Sequence, residues 1–449
     1  MKPKKGEGGE MAKAKLALVL LGLLIGGCAV KPPPTMTCSF VRYEMEVAVP
    51  PQDAEQPGQM ADVLRDELDT PASEREDPAL TSMLFMSGGG EHGAFSAGIL
   101  DEWAKRNGGK LPKFQVVTGI STGSILATFA FTGDTDDAVA GYTITNETQL
   151  LTPYLTRKNG KIEASSFAKL AKHGAVANLE PLRQRIHGYL TDAVLGRVRD
   201  GHEAGRTLLV GVVDVDTGQA VALDLGEMGS RYFKAGNTPA QKAQIKTCYV
   251  EAIAASSSAP MASVPVFIDN RMYVDGGMRF GMFSDEIGKA IRDHAAAFPP
   301  LQRASVYLIA NGSQETSPHC GKVDKSLCEP PNPPTGGLDG AHEKWEFVQL
   351  ALRSERILVN QVYRFSADKV RTEAELSGSP FKFAKIDSDV DTHMYTLDDP
   401  VLGTGTRTCK EWTAIDKATL DPLQFYPRYM RCLIDYGRMR ANRDKWGGA

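Results

Sequence analysis

Two glycine-rich segments frame the residues of this chain that are equipped for chemistry. Ser87-Gly88-Gly89-Gly90-Glu91-His92-Gly93 comes first, and Gly119-Ile120-Ser121-Thr122-Gly123 begins 26 residues after Gly93. A serine at a sharp strand-to-helix corner is exposed to attack a carbonyl. Flanking glycines such as Gly119 and Gly123 remove the Cβ atoms that would clash there. Successive glycines such as Gly88, Gly89 and Gly90 can turn their N–H groups the same way and hold the oxygen of a tetrahedral intermediate, with the N–H of Thr122 as a further donor. A third segment, Asp275-Gly276-Gly277, follows the strand-like Arg271-Met272-Tyr273-Val274 and offers a carboxylate base. Nucleophile, oxyanion donors and base together are the parts of an acyl-transfer site.

The surrounding pattern supplies elements to position them. Thr81 to Met86 reads as a short buried strand and Ala94 to Lys105 as a helix, so the first glycine run occupies a strand-to-helix turn. Phe114 to Thr118 reads as a second strand and Ser124 to Phe131 as a second helix, with Ser121 in the turn between them. The helix dipole then favours alkoxide character at Ser121. A GxGxxG turn also suits a dinucleotide. That reading needs an acid about 20 residues further on, where this chain has Asn107-Gly108-Gly109-Lys110-Leu111-Pro112 instead.

A Ser-His-Asp triad in the α/β-hydrolase order requires a histidine after the acid. His294, His319, His342 and His393 follow Asp275, but none reads as a strand-end residue. His294 is read as a surface residue of the helix Ser284 to Ala297, and His319 and His342 flank a Pro/Gly-rich loop. Asp275 is therefore the expected direct base of Ser121. The rival Asp339-Gly340-Ala341 follows loop rather than strand.

The three motifs, in this order, resemble those of the patatin-like phospholipases. Glu251-Ala252-Ile253-Ala254-Ala255-Ser256-Ser257-Ser258-Ala259-Pro260 is similar to the helix end that precedes the aspartate strand in that family. The resemblance covers about residues 81 to 310. It implies a metal-independent lipid acyl hydrolase with a Ser-Asp dyad, Ser121 as nucleophile and Asp275 as base. Gly93, Gly119, Gly123, Gly276 and Gly277 are its motif glycines. The implied fold class is α/β, a three-layer α/β/α sandwich around a mostly parallel sheet, here with C-terminal helical additions. One departure is His92, where the family usually has Arg or Lys; it is read as a residue that caps or packs the loop.

The N-terminal residues carry an expectation about compartment. Lys2, Lys4, Lys5, Lys13 and Lys15 precede an apolar run, Leu16 to Ile25, of about ten residues, too short to span a bilayer. Leu24-Ile25-Gly26-Gly27-Cys28 resembles a bacterial lipoprotein cleavage site, which makes Cys28 the expected lipidation site of an envelope protein facing the periplasm. Ala29 weakly favours the outer membrane. Cys28 aside, six cysteines remain. An oxidising compartment suits them to disulfides, foremost Cys320–Cys328 across the Pro-rich loop, with Cys38–Cys248 and Cys409–Cys432 as the remaining pairs of one scheme.

The expected organisation is a signal peptide (1–27), a lipidated cysteine and tether (28–80), the catalytic domain (81–310) and a C-terminal extension (311–449) with a Cys/Pro-rich loop and helices packing back. Arg206 to Val215 and Gln219 to Leu225 read as strands about the turn Asp216-Thr217-Gly218, and Ser305 to Ala310 as another strand. Lys344 to Arg364 and Arg428 to Arg443 read as helices, and residues 313 to 341 as a lid or an inert excursion. The formal net charge of −4 gives no basic footprint for nucleic acid. No metal or other cofactor is expected. The expected partners are a lipid or lysolipid substrate and, through the anchor, a membrane. Alternatives to a phospholipid or lysophospholipid hydrolase are a broad carboxylesterase, an acyltransferase with the same dyad, and a non-catalytic envelope scaffold.

Overall fold

The structure is a computed structural model that describes residues 35–45, 64, 82–158, 161–297, 303–312 and 347–446. The expected signal peptide, the lipidation site Cys28, His319, His342, the pair Cys320–Cys328, Asp339 and the excursion 313–341 lie outside these residues. Among the described residues no helix is long and apolar enough to cross a membrane.

Nine strands form the main sheet: β1 (Arg42–Glu44), β2 (Ser82–Met86), β3 (Val116–Ile120), β4 (Thr207–Asp214), β5 (Ala220–Asp224), β6 (Val266–Ile268), β7 (Arg271–Asp275), β8 (Ser305–Ala310) and β9 (Phe381–Lys385). The order is β1-β5-β4-β3-β2-β8-β9. The five strands β4, β3, β2, β8 and β9 run parallel, whereas β5, β1, β7 and β6 join through antiparallel pairs.

The strand sequences are apolar on both faces, as parallel strands covered by helices must be. Met83 and Phe85 of β2 join Val116, Ile120 and Leu209 in one core. The alternate residues Leu84, Met86, Val117, Leu208 and Val210 face a second core. Helices α1 (Gly93–Arg106), α2 (Thr122–Thr132), α3 (Thr135–Tyr142), α4 (Ala164–His173), α5 (Glu180–Tyr189), α6 (Asp192–Glu203), α7 (Leu225–Tyr232) and α8 (Pro239–Ser256) follow along the chain. Then come α9 (Ser284–Ala297), α10 (Phe347–Ser377), α11 (Cys409–Thr419) and α12 (Pro427–Arg443). Ile287 and Ile291 of α9 and Ala367 and Val370 of α10 cover the first core. Phe95 of α1, Leu126 of α2, Ile253 of α8 and Leu433 of α12 belong to the second. The result is the expected α/β/α sandwich.

Several details depart from the sequence reading. β3 begins later than expected because Phe114 packs its ring on Trp103 and Tyr307 before the ladder starts. The sheet continues past residue 310, since β9 pairs in parallel with β8. A hairpin of β10 (Met394–Asp399) and β11 (Gly403–Thr408), followed by α11, also went unread. Part of the expected tether is ordered structure: β1 adds to β5, and Cys38 and Phe40 are buried. Asp269 accepts the N–H groups of Cys38, Ser39 and Phe40, and Cys38 is bonded to Cys248. The second described disulfide joins Cys409 to Cys432. His294 is not at the surface but 1% exposed. It follows Ile287, Ala290 and Ile291 on the face of α9 that meets the sheet.

The C-terminal helix α12 docks against α1 backbone to backbone. A Cβ at Gly98 would meet the Ile434 carbonyl oxygen at 2.0 Å, and one at Gly437 the Phe95 carbonyl oxygen at 2.3 Å. Gly437→Ala is therefore expected to lower stability in a denaturant titration by about 1–3 kcal/mol, overpacking outweighing better helix propensity. Gly188 in α5 has open space around it. Gly188→Ala is expected to be neutral or to stabilise by up to about 1 kcal/mol. Equal effects of the two would contradict this packing.

Candidate active site

β4 is longer than β3, and this difference builds the site. β3 pairs with Thr207 to Gly211 and stops at Ile120 opposite Gly211. β7 runs the opposite way along the same edge of β4, and its last residue, Asp275, lies opposite Val212. The two strand ends therefore meet at adjacent positions of β4. Ser121, the residue after β3, forms a hydrogen bond through its side chain to Asp275.

Ser121 occupies φ 54°, ψ −123°, a conformation that L side chains rarely adopt. Its neighbours hold it there. The Ser121 N–H donates to Ser256 Oγ at 2.9 Å, and Ser256 Oγ donates to the Gly211 carbonyl at 2.7 Å. The Ser121 carbonyl accepts from Ser124 Oγ at 2.6 Å and Ser257 Oγ at 3.3 Å. The serine run that ends α8 is thus a brace for the elbow. No room exists for side chains at the flanking glycines: a Cβ at Gly119 would meet the Gly123 carbonyl oxygen at 2.2 Å, and one at Gly123 that of Met86 at 2.3 Å.

Asp275 is only 6% exposed. Burial raises its pKa to about 7, while hydrogen bonds from Ser121 and the Gly277 N–H (2.7 Å) pull the other way and the nearby Glu355 adds to the rise. A carboxylate poised near neutrality, bonded to a serine at a helix N-terminus, is suited to general-base work. Gly276 packs against β4, where a Cβ would lie 2.8 Å from the Gly211 carbonyl oxygen.

The first glycine loop leaves β2 beside this pair. Ser87 N–H donates to the Ile309 carbonyl, and Asn311 Nδ2 donates to the Ser87 carbonyl at 2.9 Å. Asn311 Oδ1 accepts from Ser96 Oγ at 2.6 Å, tying the loop to α1. Gly89 takes φ 154° and Gly90 φ 58°. A Cβ on Gly89 would lie 2.6 Å from the Asn311 carbonyl carbon. His92 Nδ1 donates to the Gly89 carbonyl at 3.0 Å and its ring meets the edge of Tyr429. That bond turns one ring nitrogen inward to brace the loop. Gly93 packs on the hydroxyls of Thr122 and Tyr142, which bond to each other.

A cavity of ≈ 840 Å³ opens at the site, with Gly89, Gly90, Ser121, Thr122 and Asp275 in its wall. Gly88 is not in that wall; it packs on Ser121 and on Tyr363 of α10. Apolar side chains line much of the rest, among them Ile125, Phe129, Leu151, Leu179 and Ile186, with charged residues such as Arg185, Arg353 and Glu355 between them. A loop of the C-terminal extension, 421–426, forms another part of the wall. Glu147 accepts its Leu423, Gln424 and Phe425 N–H groups, and Glu91 accepts that of Tyr426. His294 and His393 are not in the wall; His393 Nε2 pairs with Asp435 at 2.8 Å. Among the described residues no group of three His, Cys, Asp or Glu is arranged to hold a metal.

The sequence reading located Ser121, Asp275 and the glycine loop. It passed over Asn311, Glu147 and Tyr363, and it noted Glu91 and the serines 256–258 without a role. Ser256 had a signal, since it ends a helix just before the aspartate hairpin. The others act across sequence separations that no local pattern reveals.

Residues 84–283 match the family described as patatin-like phospholipase. No curated protein matches the chain. Among solved structures, VipD from Legionella pneumophila is similar at 14% identity and a TM-score of 0.31. The match covers 52% of this chain and 50% of that one.

Because Asp275 is held protonated to about pH 7 in the folded state against 3.8 ordinarily, the native protein binds the extra proton between these values. Stability is thereby lost as pH rises from about 4 to 7, and the loss is complete above 7. Asp275→Asn removes the buried charge. It is expected to raise unfolding free energy by about 1–4 kcal/mol at pH 8 and by little at pH 4. An Asn variant no more stable than wild type at pH 8 would contradict a desolvated carboxylate.

Proposed function

We propose, on the premise that residues 84–283 are a patatin-like phospholipase domain, a domain of lipid acyl hydrolases, that this chain cleaves fatty-acyl esters of phospholipids or lysophospholipids with Ser121 and Asp275. The observation that carries the reading is the hydrogen-bonded pair itself. A strained serine at a helix N-terminus faces a buried carboxylate whose pKa lies near 7, in the wall of a largely apolar cavity.

In the proposed cycle, ionised Asp275 takes the Ser121 proton as Oγ bonds to the acyl carbon. The oxygen of the tetrahedral intermediate is held by N–H groups of Gly89, Gly90 and Thr122. Gly88 supports the loop from behind Ser121, so its place as a donor is the weakest of the four. Collapse breaks the bond to the alcohol, which departs with the proton carried by Asp275. Water then gives a proton to Asp275 and attacks the acyl-enzyme, and Ser121 recovers its proton as the acid leaves. The base needs no histidine, since the carboxylate touches the serine directly.

Anchoring through Cys28 to a bacterial envelope membrane, facing the periplasm, is part of the same proposal. It rests on the basic and apolar residues before Cys28 and is supported by the disulfides Cys38–Cys248 and Cys409–Cys432, which suit an oxidising compartment.

Fatty-acid release from mixed phospholipid vesicles tests the activity. Wild type is expected to release acid, and both Ser121→Ala and Asp275→Asn to lose about 10³-fold or more. Release that is undiminished in Ser121→Ala would exclude this nucleophile.

A further inference from the structure

Among the side chains outside residues 84–283 that line the cavity, one from α10 stands beside the Ser121–Asp275 pair. Tyr363 of α10 is buried, and its ring fills a slot made by four glycines from three loops, Gly88, Gly277, Gly281 and Gly312. A Cβ at Gly312 would meet the ring at 2.0 Å, and one at Gly281 would meet it at 2.5 Å. Any larger residue at these positions would expel the tyrosine. The slot fixes where its oxygen sits. A Cβ on Gly88 would lie 2.1 Å from Tyr363 Oη and 2.9 Å from Ser121 Cβ. One on Gly277 would lie 2.6 Å from Tyr363 Oη and 3.1 Å from Asp275 Oδ1. The hydroxyl thus stands beside both members of the pair, and Tyr363 is one of the residues that line the cavity.

Its position relative to the pair decides its role. The donors Gly89, Gly90 and Thr122 lie in the wall where the carbonyl oxygen would settle, whereas Tyr363 Oη lies between Gly88, which is outside that wall, and the Asp275-Gly276-Gly277 turn. The departing oxygen must also stand on that side, because it collects its proton from Asp275. Resting on the dyad reading given above, we propose that Tyr363 is a further catalytic residue whose hydroxyl donates a hydrogen bond to the departing alcohol oxygen. As the acyl carbon–oxygen bond breaks, negative charge grows on that oxygen. The phenol stabilises it until the proton taken from Ser121 passes from Asp275 to the alcohol. Tyr363 keeps its own proton throughout. Burial and the charges of Asp275 and Glu355 hold its pKa well above the ordinary value, so it remains a donor at every working pH.

The need for such a donor scales with the basicity of the alcohol. An alkyl alkoxide, as a glycerolipid releases, needs it; a 4-nitrophenolate needs it far less. Tyr363→Phe retains the ring that fills the slot and removes only the oxygen. It is expected to lower kcat/KM on a water-soluble alkyl ester about 10–100-fold, the effect of one hydrogen bond to a charged oxygen. On the 4-nitrophenyl ester of the same acid the loss is expected to be at least about fivefold smaller. An equal loss on both esters would overturn the assignment in favour of a carbonyl-oxygen donor or a packing role, as would no loss on either. Wild type and Ser121→Ala on the nitrophenyl ester separate the two readings. If these are equally inactive the dyad reading fails, and if only wild type is active the Tyr363 comparison stands by itself.

Discussion

The meeting of two strand ends along one edge of β4 is the constraint on which the rest of the site depends. β3 and β7 run toward each other and stop at the neighbouring positions Gly211 and Val212. Whatever follows β3 must face whatever ends β7. The chain places a serine and an aspartate there, and the sheet, rather than any flexible loop, fixes their approach. Sites built on sheet ends hold tighter geometry than sites built on free loops. The same junction explains the glycines. Gly119, Gly123 and Gly276 stand where backbones come within contact of one another, and no side chain fits between them.

Two unfavourable features are maintained at this junction, and each has identifiable support. The positive φ of Ser121 is held from both sides by Ser124, Ser256 and Ser257. The ionisation of Asp275 is opposed by burial and assisted by Ser121 and Gly277. Strain of this kind persists only where the surroundings over-determine it. The segment after residue 310 contributes to that enclosure. Asn311 ties the glycine loop to α1, the loop 421–426 is clasped by Glu147 and Glu91, and Tyr363 seals the base turn. The C-terminal part is therefore wall and support for the site.

What could be read from the sequence was what local chemistry dictates. Ser121 and Asp275 announce themselves through turn glycines at the ends of apolar strands, and β2, β3, β4 and β8 through their β-branched or apolar runs. His294 was readable and was misread: its spacing from Ile287 and Ile291 places it on the buried face of α9. β11, Gly403–Thr408, offered no pattern, being polar and mostly exposed. Tyr363 offered none either. Its importance lies in four glycines scattered over more than two hundred residues, and only the fold brings them to one ring.

The central claim is that Asp275 activates Ser121 by direct contact. The measurement that tests it most directly is the rate at which a fluorophosphonate labels Ser121 as a function of pH, in wild type and in Asp275→Asn. The account predicts a single-proton rise in wild type with a midpoint near pH 7, where Asp275 ionises, and slow labelling without that rise in the Asn variant. Labelling of the Asn variant at the wild-type rate, with the rise intact, would contradict it.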